Sequence, residues 1–372
     1  MISSSVAGII FANAYDEKVQ RLTAKRSIAS VPFGGRYRLI DFCLSNLVNA
    51  GVSNVGIITK EKYRSLMDHI GSGIYWDLDR KSGGIRLLPP FNISKSRIYQ
   101  GYVEALYGAK DFMVRCNAKY IVLCDARTVA NVDLKEVIKL HKLSNADITV
   151  VCTKGTEIKD NNHTITLDIN KDGSVALTGV PNKIGANDIR SMDIYVFNRD
   201  KLIELVENSY ENGGITVCED IVAANIGKLK VMAYEHKGYV AIMDCAANYC
   251  RANFDLLSTD VRKDLFNRER PIYTKTRDDM PTRYGTHSSV TNSLVAEGCI
   301  IEGTVRNSVL FRGVTVEKGA VVENSILMQG VTVGENAVAD RVVSDKNAVI
   351  SAKMTIKGNG EKAFFVEKNQ TL

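Results

Sequence analysis

The sequence predicts an α/β domain built on a mostly parallel, three-layer sheet, followed by a parallel β-helix. Two observations predict this architecture. Short apolar runs alternate with helical patterns over about the first 250 residues, and a six-residue repeat of small or β-branched side chains fills the end of the chain. The length of 372 residues also exceeds what one hydrophobic core usually serves, so two domains are expected.

Four apolar runs in the first domain are typical of strands buried on both faces of a parallel sheet. Helical patterns such as 41–50 and 131–143 lie between them and predict crossover connections. Two further strands are expected at 191–197 and 230–234. The ligand site of such a domain lies at the carboxyl ends of its strands. The four apolar runs cover 6–12, 55–59, 120–124 and 148–152.

The C-terminal repeat has a period of six, which is typical of short strands that stack on three faces of a prism. A β-meander would instead show hairpin signals and period-two alternation, and neither is evident. We therefore expect a β-helix with the repeated residues pointing inward. The series are Val314, Ala320, Ile326 and Val316, Val322, Met328, continued after a one-residue slip by Val331, Ala337 and Val333, Ala339.

The composition limits the possible functions. The net charge of +6 comes from 48 basic and 42 acidic residues without a long basic block, which suits small anionic ligands better than nucleic acid. Eight scattered cysteines form no CxxC pair, and we expect them to be reduced in a cytoplasmic protein. The five histidines show no metal-ligand spacing. No apolar run is long enough for a membrane span.

Two long runs resemble the glucose-1-phosphate adenylyltransferase (ADP-glucose pyrophosphorylase) family: SVPFGGRYRLIDFCLSNLVNAGVSNVGIIT and HIGSGIYWDLDRKSGGIRLLPPF. The enzymes of that family make ADP-glucose and pyrophosphate from ATP and glucose 1-phosphate in glycogen or starch biosynthesis. The resemblance implies a Rossmann-like nucleotidyltransferase domain over 1–257, a linker over 258–287 and a left-handed β-helix over 288–372.

The phosphate loop of this family departs from its pattern in this chain. The family motif Gly-Gly-x-Gly-Thr-Arg-Leu falls on 13–19, where Asn13, Ala14 and Asp16 stand in place of the glycines and Lys18 replaces the arginine. Glycines let backbone N–H groups approach the phosphates, and the arginine neutralises their charge. Side chains at these positions, one of them a carboxylate, predict impaired binding of ATP.

The resemblance also implies two aspartates that hold Mg²⁺. Asp125, at the end of the run YIVLCDAR, matches the first. The second falls on Ile242, and Asp244 two residues later is the alternative ligand if the site has shifted. We expect no metal site in this chain and no cofactor requirement, with Mg²⁺ only at the site of a catalytic partner.

The other active-site motifs of the family are altered as well. Two lysines implied by the resemblance are replaced by Ile28 and Val180, although Asp125 and Lys18 remain as vestiges of the catalytic set. Tyr102 replaces a smaller threonine. The remaining matches to the sugar-nucleotide pocket are Gly101, Glu104 and Asp220.

A basic set near the predicted phosphate loop is kept. In related enzymes, basic residues that match Lys25, Arg26 and Arg38 contribute to a site for phosphorylated metabolites between the domains. The resemblance therefore implies that these three residues are candidates for effector binding. The alternative is an ordinary solvated positive surface.

We therefore predict a regulatory, catalytically degenerate subunit that has little or no activity alone. It is expected to assemble with a catalytic paralogue as a hetero-oligomer, a tetramer, and to alter the activity or effector response of that partner. Three alternatives stay open: an active adenylyltransferase with a divergent phosphate loop, a sugar-phosphate-sensing module without catalysis, and a hexapeptide-repeat acyltransferase. The last usually needs a histidine within the coils, and the only candidate, His287, precedes them.

Overall fold

A nine-stranded sheet lies at the centre of the first domain, and three five-stranded parallel sheets form the second. The structure, a computed structural model, describes residues 5–13, 19–89, 99–155, 164–360 and 362–372. Its α-helices in these ranges are α1 (Gln20–Thr23), α2 (Leu39–Asn49), α3 (Arg64–Ile70), α4 (Tyr102–Gly108), α5 (Lys110–Arg115), α6 (Leu134–Leu143), α7 (Arg199–Glu211), α8 (Ala246–Asp255) and α9 (Thr259–Leu265).

The predicted strands of the first domain are confirmed, each within two residues of its expected bounds. None of the helices in the described part of the chain combines the length and apolar character that crossing a membrane requires. The strands of this domain are β1 (Val6–Phe11), β2 (Pro32–Phe33), β3 (Tyr37–Arg38), β4 (Asn54–Ile58), β5 (Gly84–Leu88), β6 (Tyr120–Asp125), β7 (Thr128–Ala130), β8 (Ile148–Lys154), β9 (Thr166–Ile169), β10 (Val175–Gly179), β11 (Ile189–Asn198), β12 (Val231–Glu235) and β13 (Val240–Ile242).

The large sheet is mostly parallel, as predicted. Its order is β10-β9-β11-β6-β1-β4-β5, with β8 and β12 added beyond β11, and only β10 and β11 run against the other seven strands. Helix α2 packs directly on β1, where a Cβ on Gly8 would lie 2.7 Å from Leu47 Cδ1. Because β1, β4, β5 and β6 are parallel, their carboxyl ends meet at one edge of the sheet.

The C-terminal domain is the predicted left-handed β-helix, and every residue of the two six-residue series is fully buried. Its corners use asparagines with positive φ, such as Asn307 and Asn324, whose side chains are hydrogen-bonded in a ladder from coil to coil. The strands are β14 (Arg283–Tyr284), β15 (Ser289–Thr291), β16 (Leu294–Val295), β17 (Ile300–Ile301), β18 (Thr304–Arg306), β19 (Val309–Leu310), β20 (Thr315–Val316), β21 (Val321–Glu323), β22 (Ile326–Leu327), β23 (Thr332–Val333), β24 (Val338–Asp340), β25 (Val342–Ser344), β26 (Val349–Ile350), β27 (Thr355–Lys357) and β28 (Phe364–Val366).

The range 258–287, expected to be a linker, contains two regular elements. Helix α9 lies near its start, and β14 near its end pairs with β17 as the first strand of the coil stack. Both residues of β14 are exposed. The six-residue repeat consists of buried side chains, so it does not predict this strand.

The two domains share an apolar cluster. Phe33 and Phe42 of the first domain belong to the same buried cluster as Phe311 and Met328 of the β-helix. Phe266, after α9, stacks on Tyr37 with ring centroids 4.9 Å apart. The β-helix is therefore packed against the N-terminal domain through side chains that both domains bury.

Candidate functional site

The candidate site lies at the carboxyl edge of the large sheet, where β6 ends at Asp125. Asp125 is paired in register with Phe11, the last residue of β1, and its side chain is only 1% exposed. A carboxylate this deeply buried requires hydrogen-bond or ionic partners. The identity of those partners determines what the site can bind.

Both oxygens of the Asp125 carboxylate are engaged by protein groups. Oδ1 accepts a hydrogen bond of 2.9 Å from the backbone N–H of Arg127. Oδ2 accepts one of 2.6 Å from the Tyr102 hydroxyl and lies 3.3 Å from Arg127 Nε in an ion-pair contact. The Tyr102 ring, at the start of α4, meets the Phe11 ring edge to face at 4.6 Å. Tyr102 therefore closes the pocket from the helix side.

The Arg127 guanidinium joins Asp125 to a second carboxylate, that of Asp193, through its Nη2 atom. Asp193 lies at a β-bulge in β11 and has a φ of +54°, a left-handed conformation that is uncommon for aspartate. Its Oδ1 accepts a hydrogen bond of 3.1 Å from the Tyr195 hydroxyl, and its N–H donates to Ser191 Oγ. The bulge thus turns the Asp193 carboxylate toward Arg127.

The electrostatics of this cluster are dominated by burial. Burial raises the pKa of Asp125, while Arg127 and the Tyr102 hydrogen bond act in the opposite direction. Burial, with a further contribution from the Asp193 charge, raises the pKa of Tyr195 well above its ordinary value, so this phenol stays a neutral donor. The space left between these side chains is about 20 Å³, enough for one water molecule.

The residues expected from the sugar-nucleotide pocket are tied to the surrounding backbone. Asp220 Oδ2 accepts hydrogen bonds from the N–H groups of Ile215 and Thr216 at 2.8 and 2.7 Å. The Ile215 carbonyl in turn faces Gly101, where an added Cβ would lie 2.5 Å away. Glu104 Oε2 accepts a hydrogen bond of 2.8 Å from the N–H of Gln100, just before α4. The loop at 215–216 therefore lies against the start of α4.

The effector candidates lie at the domain junction in different environments. Arg26 is 3% exposed, and its Nη2 donates to both oxygens of Asp345 in the β-helix at 2.7 and 2.8 Å. Arg38 donates to the Ser65 hydroxyl at 2.9 Å, and burial lowers its pKa to about 10. Lys25 is exposed at the rim of a cavity.

That cavity, of about 530 Å³, lies between α1 and the last coils of the β-helix. Its lining carries more basic than acidic side chains, and the acidic ones are Asp345 and Glu367. An excess of positive charge in a concave site favours an anionic ligand. Its basic residues are Arg21, Lys25, Lys357, Lys362 and Lys368.

A second cavity at the junction, of about 250 Å³, is also rich in basic residues, among them Arg38 and Lys346. Lys346 follows Asp345 in the chain. Its pKa is lowered to about 7, mainly by burial and further by the charges of Arg38, Arg26 and Lys368, while Asp345 acts in the opposite direction. Positive charge is therefore crowded where the two domains meet.

Comparison with known proteins identifies the family. A family model described as nucleotidyl transferase matches residues 7–239, and one described as GlmU-like, C-terminal hexapeptide matches 279–367. The glycogen biosynthesis protein GlgD of Bacillus subtilis (strain 168) is 36% identical over 99% of this chain and 97% of its own length. The glucose-1-phosphate adenylyltransferase of Clostridium botulinum (strain Eklund 17B / Type B) is 33% identical over 87% of this chain and 84% of its own.

The chain belongs to the glucose-1-phosphate adenylyltransferase family. A second relative named glycogen biosynthesis protein GlgD, from Geobacillus stearothermophilus, is 37% identical over 86% of this chain and 84% of its own length.

The metal that this family implies does not fit the residues present. Mg²⁺ needs a near-octahedral set of oxygen ligands, and the Asp125 oxygens face Tyr102 and Arg127 instead. Ile242, at the other family position, is a buried apolar residue of β13. Asp244 accepts a hydrogen bond from the Asn248 side chain. Among the described residues, no group of three or more histidines, cysteines, aspartates or glutamates is placed to hold a metal.

The other positions that the sequence predicts to be degenerate have structural contacts. Ile28 is buried in the apolar cluster that the domains share, and Val180 is half-buried against the core beneath the sheet. Asn13 joins the end of β1 to the next loop: its Oδ1 accepts from the Lys60 N–H at 2.9 Å, and its Nδ2 donates to the Glu61 carbonyl at 3.0 Å. The other three predicted loop residues, Ala14, Asp16 and Lys18, lie outside the described residues.

Sequence reasoning missed Arg127 and Asp193 at the pocket and Asp345 and Lys346 at the junction. One signal was present for the first: an arginine stands two residues after the family aspartate, at the end of a strand. The others gave no signal, because each acts through a partner that is far away in sequence and close only in the folded chain.

Proposed function

We propose that this chain is a regulatory, catalytically degenerate subunit of glucose-1-phosphate adenylyltransferase in glycogen biosynthesis, located in the cytoplasm. The observation that carries the proposal is the state of Asp125. The one family metal ligand that the sequence keeps is buried and bound by Tyr102 and Arg127. A carboxylate that is already hydrogen-bonded at both oxygens and paired with an arginine is poorly placed to bind an incoming magnesium nucleotide.

The chemistry of the family reaction supports this reading. Nucleotidyl transfer depends on cations that stabilise the charge developing on the phosphates, and loss of one such contact typically costs about 10²–10³-fold in rate. Here Ile242 replaces a carboxylate, while Ile28 and Val180 replace two lysines. The losses do not simply multiply, because the members of one catalytic apparatus act together. Turnover by the chain alone is nevertheless expected to be close to zero.

A partner would then supply the reaction. Relatives of this chain carry two kinds of name, glycogen biosynthesis protein and glucose-1-phosphate adenylyltransferase, and Geobacillus stearothermophilus has one of each. That pairing supports a catalytic paralogue as the partner, in a hetero-oligomer that we propose is a tetramer. Mg²⁺ would be needed only at the partner's site. This chain would act by favouring an active conformation of that partner.

We also propose that the junction binds a phosphorylated metabolite. The 530 Å³ cavity has the size of a small-ligand site, and Lys25 lies at its rim. Arg26 would contribute only by exchanging Asp345 for a phosphate, because its Nη2 is already hydrogen-bonded to both oxygens of that carboxylate. Arg38 and Lys346 extend the positive region into the neighbouring cavity.

The test is an ADP-glucose assay on the purified chain alone, on an intact paralogue from the same organism alone, and on both co-expressed. We expect no product from this chain and a changed rate, substrate affinity or activator response in the mixture. Product from the chain alone that Asp125→Ala abolishes would identify an active enzyme with a divergent loop. A mixture that behaves as the paralogue alone, with phosphate ligands still bound by this chain, would identify a sensing module instead.

A further inference from the structure

Arg127 is a buried charged residue. The loss of catalytic activity would not by itself explain why a charged residue is buried at this position. An inactive site could keep an apolar side chain here, and burying a guanidinium carries a desolvation cost that only good pairing offsets. We propose that Arg127 is a built-in cation: its guanidinium takes the place of a divalent metal between Asp125 and Asp193 and, with Tyr102, keeps the pocket closed without metal.

The geometry of Arg127 carries this inference. Its Nε contacts Asp125 Oδ2 on β6, and its Nη2 contacts Asp193 Oδ2 on β11, so one cation bridges carboxylates from two adjacent strands. A divalent cation makes the same kind of bridge between carboxylates. The backbone N–H of Arg127 also binds Asp125, which fixes the side chain at its root. The whole group is 4% exposed.

Asp193 supports the same inference independently. Its backbone has the left-handed φ of +54°, a strained conformation that persists only where the surroundings stabilise it. The bulge brings its carboxylate to Arg127 rather than to solvent. A second cation, Arg190 on the same strand, also acts on Asp193. It is buried and is shared with Asp244. Arg127 is therefore the cation that joins Asp193 to Asp125.

Removing Arg127 would leave two carboxylates facing one small space. Their remaining hydrogen-bond donors are neutral: the hydroxyls of Tyr102 and Tyr195 and the backbone N–H at position 127. The Arg190 charge still acts on Asp193 but makes no bridge to Asp125. Two carboxylates in a largely buried site favour a divalent cation, and more carboxylate charge raises its affinity. The inference thus predicts that a metal site appears when the arginine is taken away.

The experiment measures Mn²⁺ binding, by electron paramagnetic resonance and by thermal unfolding, in the full-length chain and in Arg127→Ala and Arg127→Gln. We expect no saturable Mn²⁺ binding by the native chain. We expect both variants to gain a Mn²⁺ site at least about tenfold tighter than any background binding, with a Tm that rises with Mn²⁺ concentration. Arg127→Gln keeps hydrogen-bond donors, so it decides the question if Arg127→Ala does not fold.

Two controls separate the charge from the size of the side chain. Arg127→Lys keeps a cation and should gain no Mn²⁺ site, whereas Arg127→Gln combined with Asp193→Asn should lose the site that Arg127→Gln gains. Folded variants that bind Mn²⁺ no better than the native chain would overturn the inference, and so would native binding that Asp125→Asn abolishes. The co-expression assay uses none of these variants, so failure of the regulatory proposal and failure of this inference are distinguishable.

Discussion

The Tyr102 hydroxyl donates a hydrogen bond of 2.6 Å to Asp125 Oδ2, connecting the first turn of α4 to the end of β6. The ring of this tyrosine, at a position where the resemblance implies a smaller threonine, is held against Phe11. Tyr102 therefore both lines the pocket and binds the carboxylate. The bond also lowers the pKa of a carboxyl group that burial otherwise raises.

Tyr102→Phe should reduce the free energy of unfolding by roughly 1–3 kcal/mol, because it leaves a buried carboxylate oxygen with one donor fewer. Since the hydroxyl favours the ionised carboxylate, the deficit should be largest at neutral pH and should shrink as pH falls and Asp125 becomes protonated. Urea unfolding at a series of pH values measures both effects.

Tyr75→Phe is the matched control, since Tyr75 is also half-buried but packs beside Trp76, away from the pocket. It should change stability by less than about 0.5 kcal/mol, with no dependence on acid pH. Equal losses from the two tyrosines would mean that the Asp125 hydrogen bond contributes nothing specific.

The fold was predictable because periodicity specifies it locally. Runs such as 148–152 are apolar on both faces, and residues such as Val316 and Val322 repeat at the spacing of the coils. The sequence also predicts the loss of a metal ligand at Ile242, and the structure has a buried apolar side chain there. The pairing of Asp125 with Arg127 could not be predicted from the sequence. It depends on contact between Arg127 and Asp193, which is 66 positions away and lies at a β-bulge that has no sequence signature.

The Arg26–Asp345 pair should be important for the docking of the two domains. Asp345→Ala leaves the nearly buried Arg26 guanidinium without its counter-ion, so we expect a loss of about 3–5 kcal/mol in the free energy of unfolding. Arg26→Met combined with Asp345→Leu should recover most of that loss, because an apolar pair carries no desolvation cost. Chemical denaturation of Arg26→Met, of Asp345→Leu and of the double variant gives the coupling energy.

An exposed pair on the β-helix provides the comparison. Arg306 Nη1 lies 2.7 Å from Glu323 Oε1, at a similar distance but on the surface. Glu323→Ala should cost less than about 1 kcal/mol. If Asp345→Ala is no more costly than this surface variant, the interdomain pair does not hold the junction.

Asp220→Ala should loosen the loop at 215–216, because two backbone N–H groups lose their acceptor. We expect a stability loss of roughly 1–3 kcal/mol and faster amide hydrogen exchange at Ile215 and Thr216. Asp200→Ala, on an exposed aspartate of α7, is the control and should leave exchange at the loop unchanged. Unchanged exchange in Asp220→Ala would show that the loop is held by other contacts.

Lys346 should make the stability of the protein depend on pH in the alkaline range. Its pKa is about 7 in the folded chain, against an ordinary value of 10.5, because it is buried beside Arg38, Arg26 and Lys368, with only Asp345 opposing. Between these two pH values the unfolded chain binds the proton and the folded chain does not. Stability should therefore rise with pH across this window, by at most about 1.4 kcal/mol per pH unit, and the slope should vanish below pH 7.

Lys346→Met should remove this alkaline slope, while Lys318→Met, at an exposed position of the β-helix, should preserve it. The measurement is urea unfolding of the three proteins at several pH values from 6 to 10, so that groups common to all three cancel. Inorganic pyrophosphate bound at the junction would favour the charged lysine and should flatten the native slope as well. If Lys346→Met leaves the slope intact, other groups cause the alkaline pH dependence and Lys346 does not contribute to it.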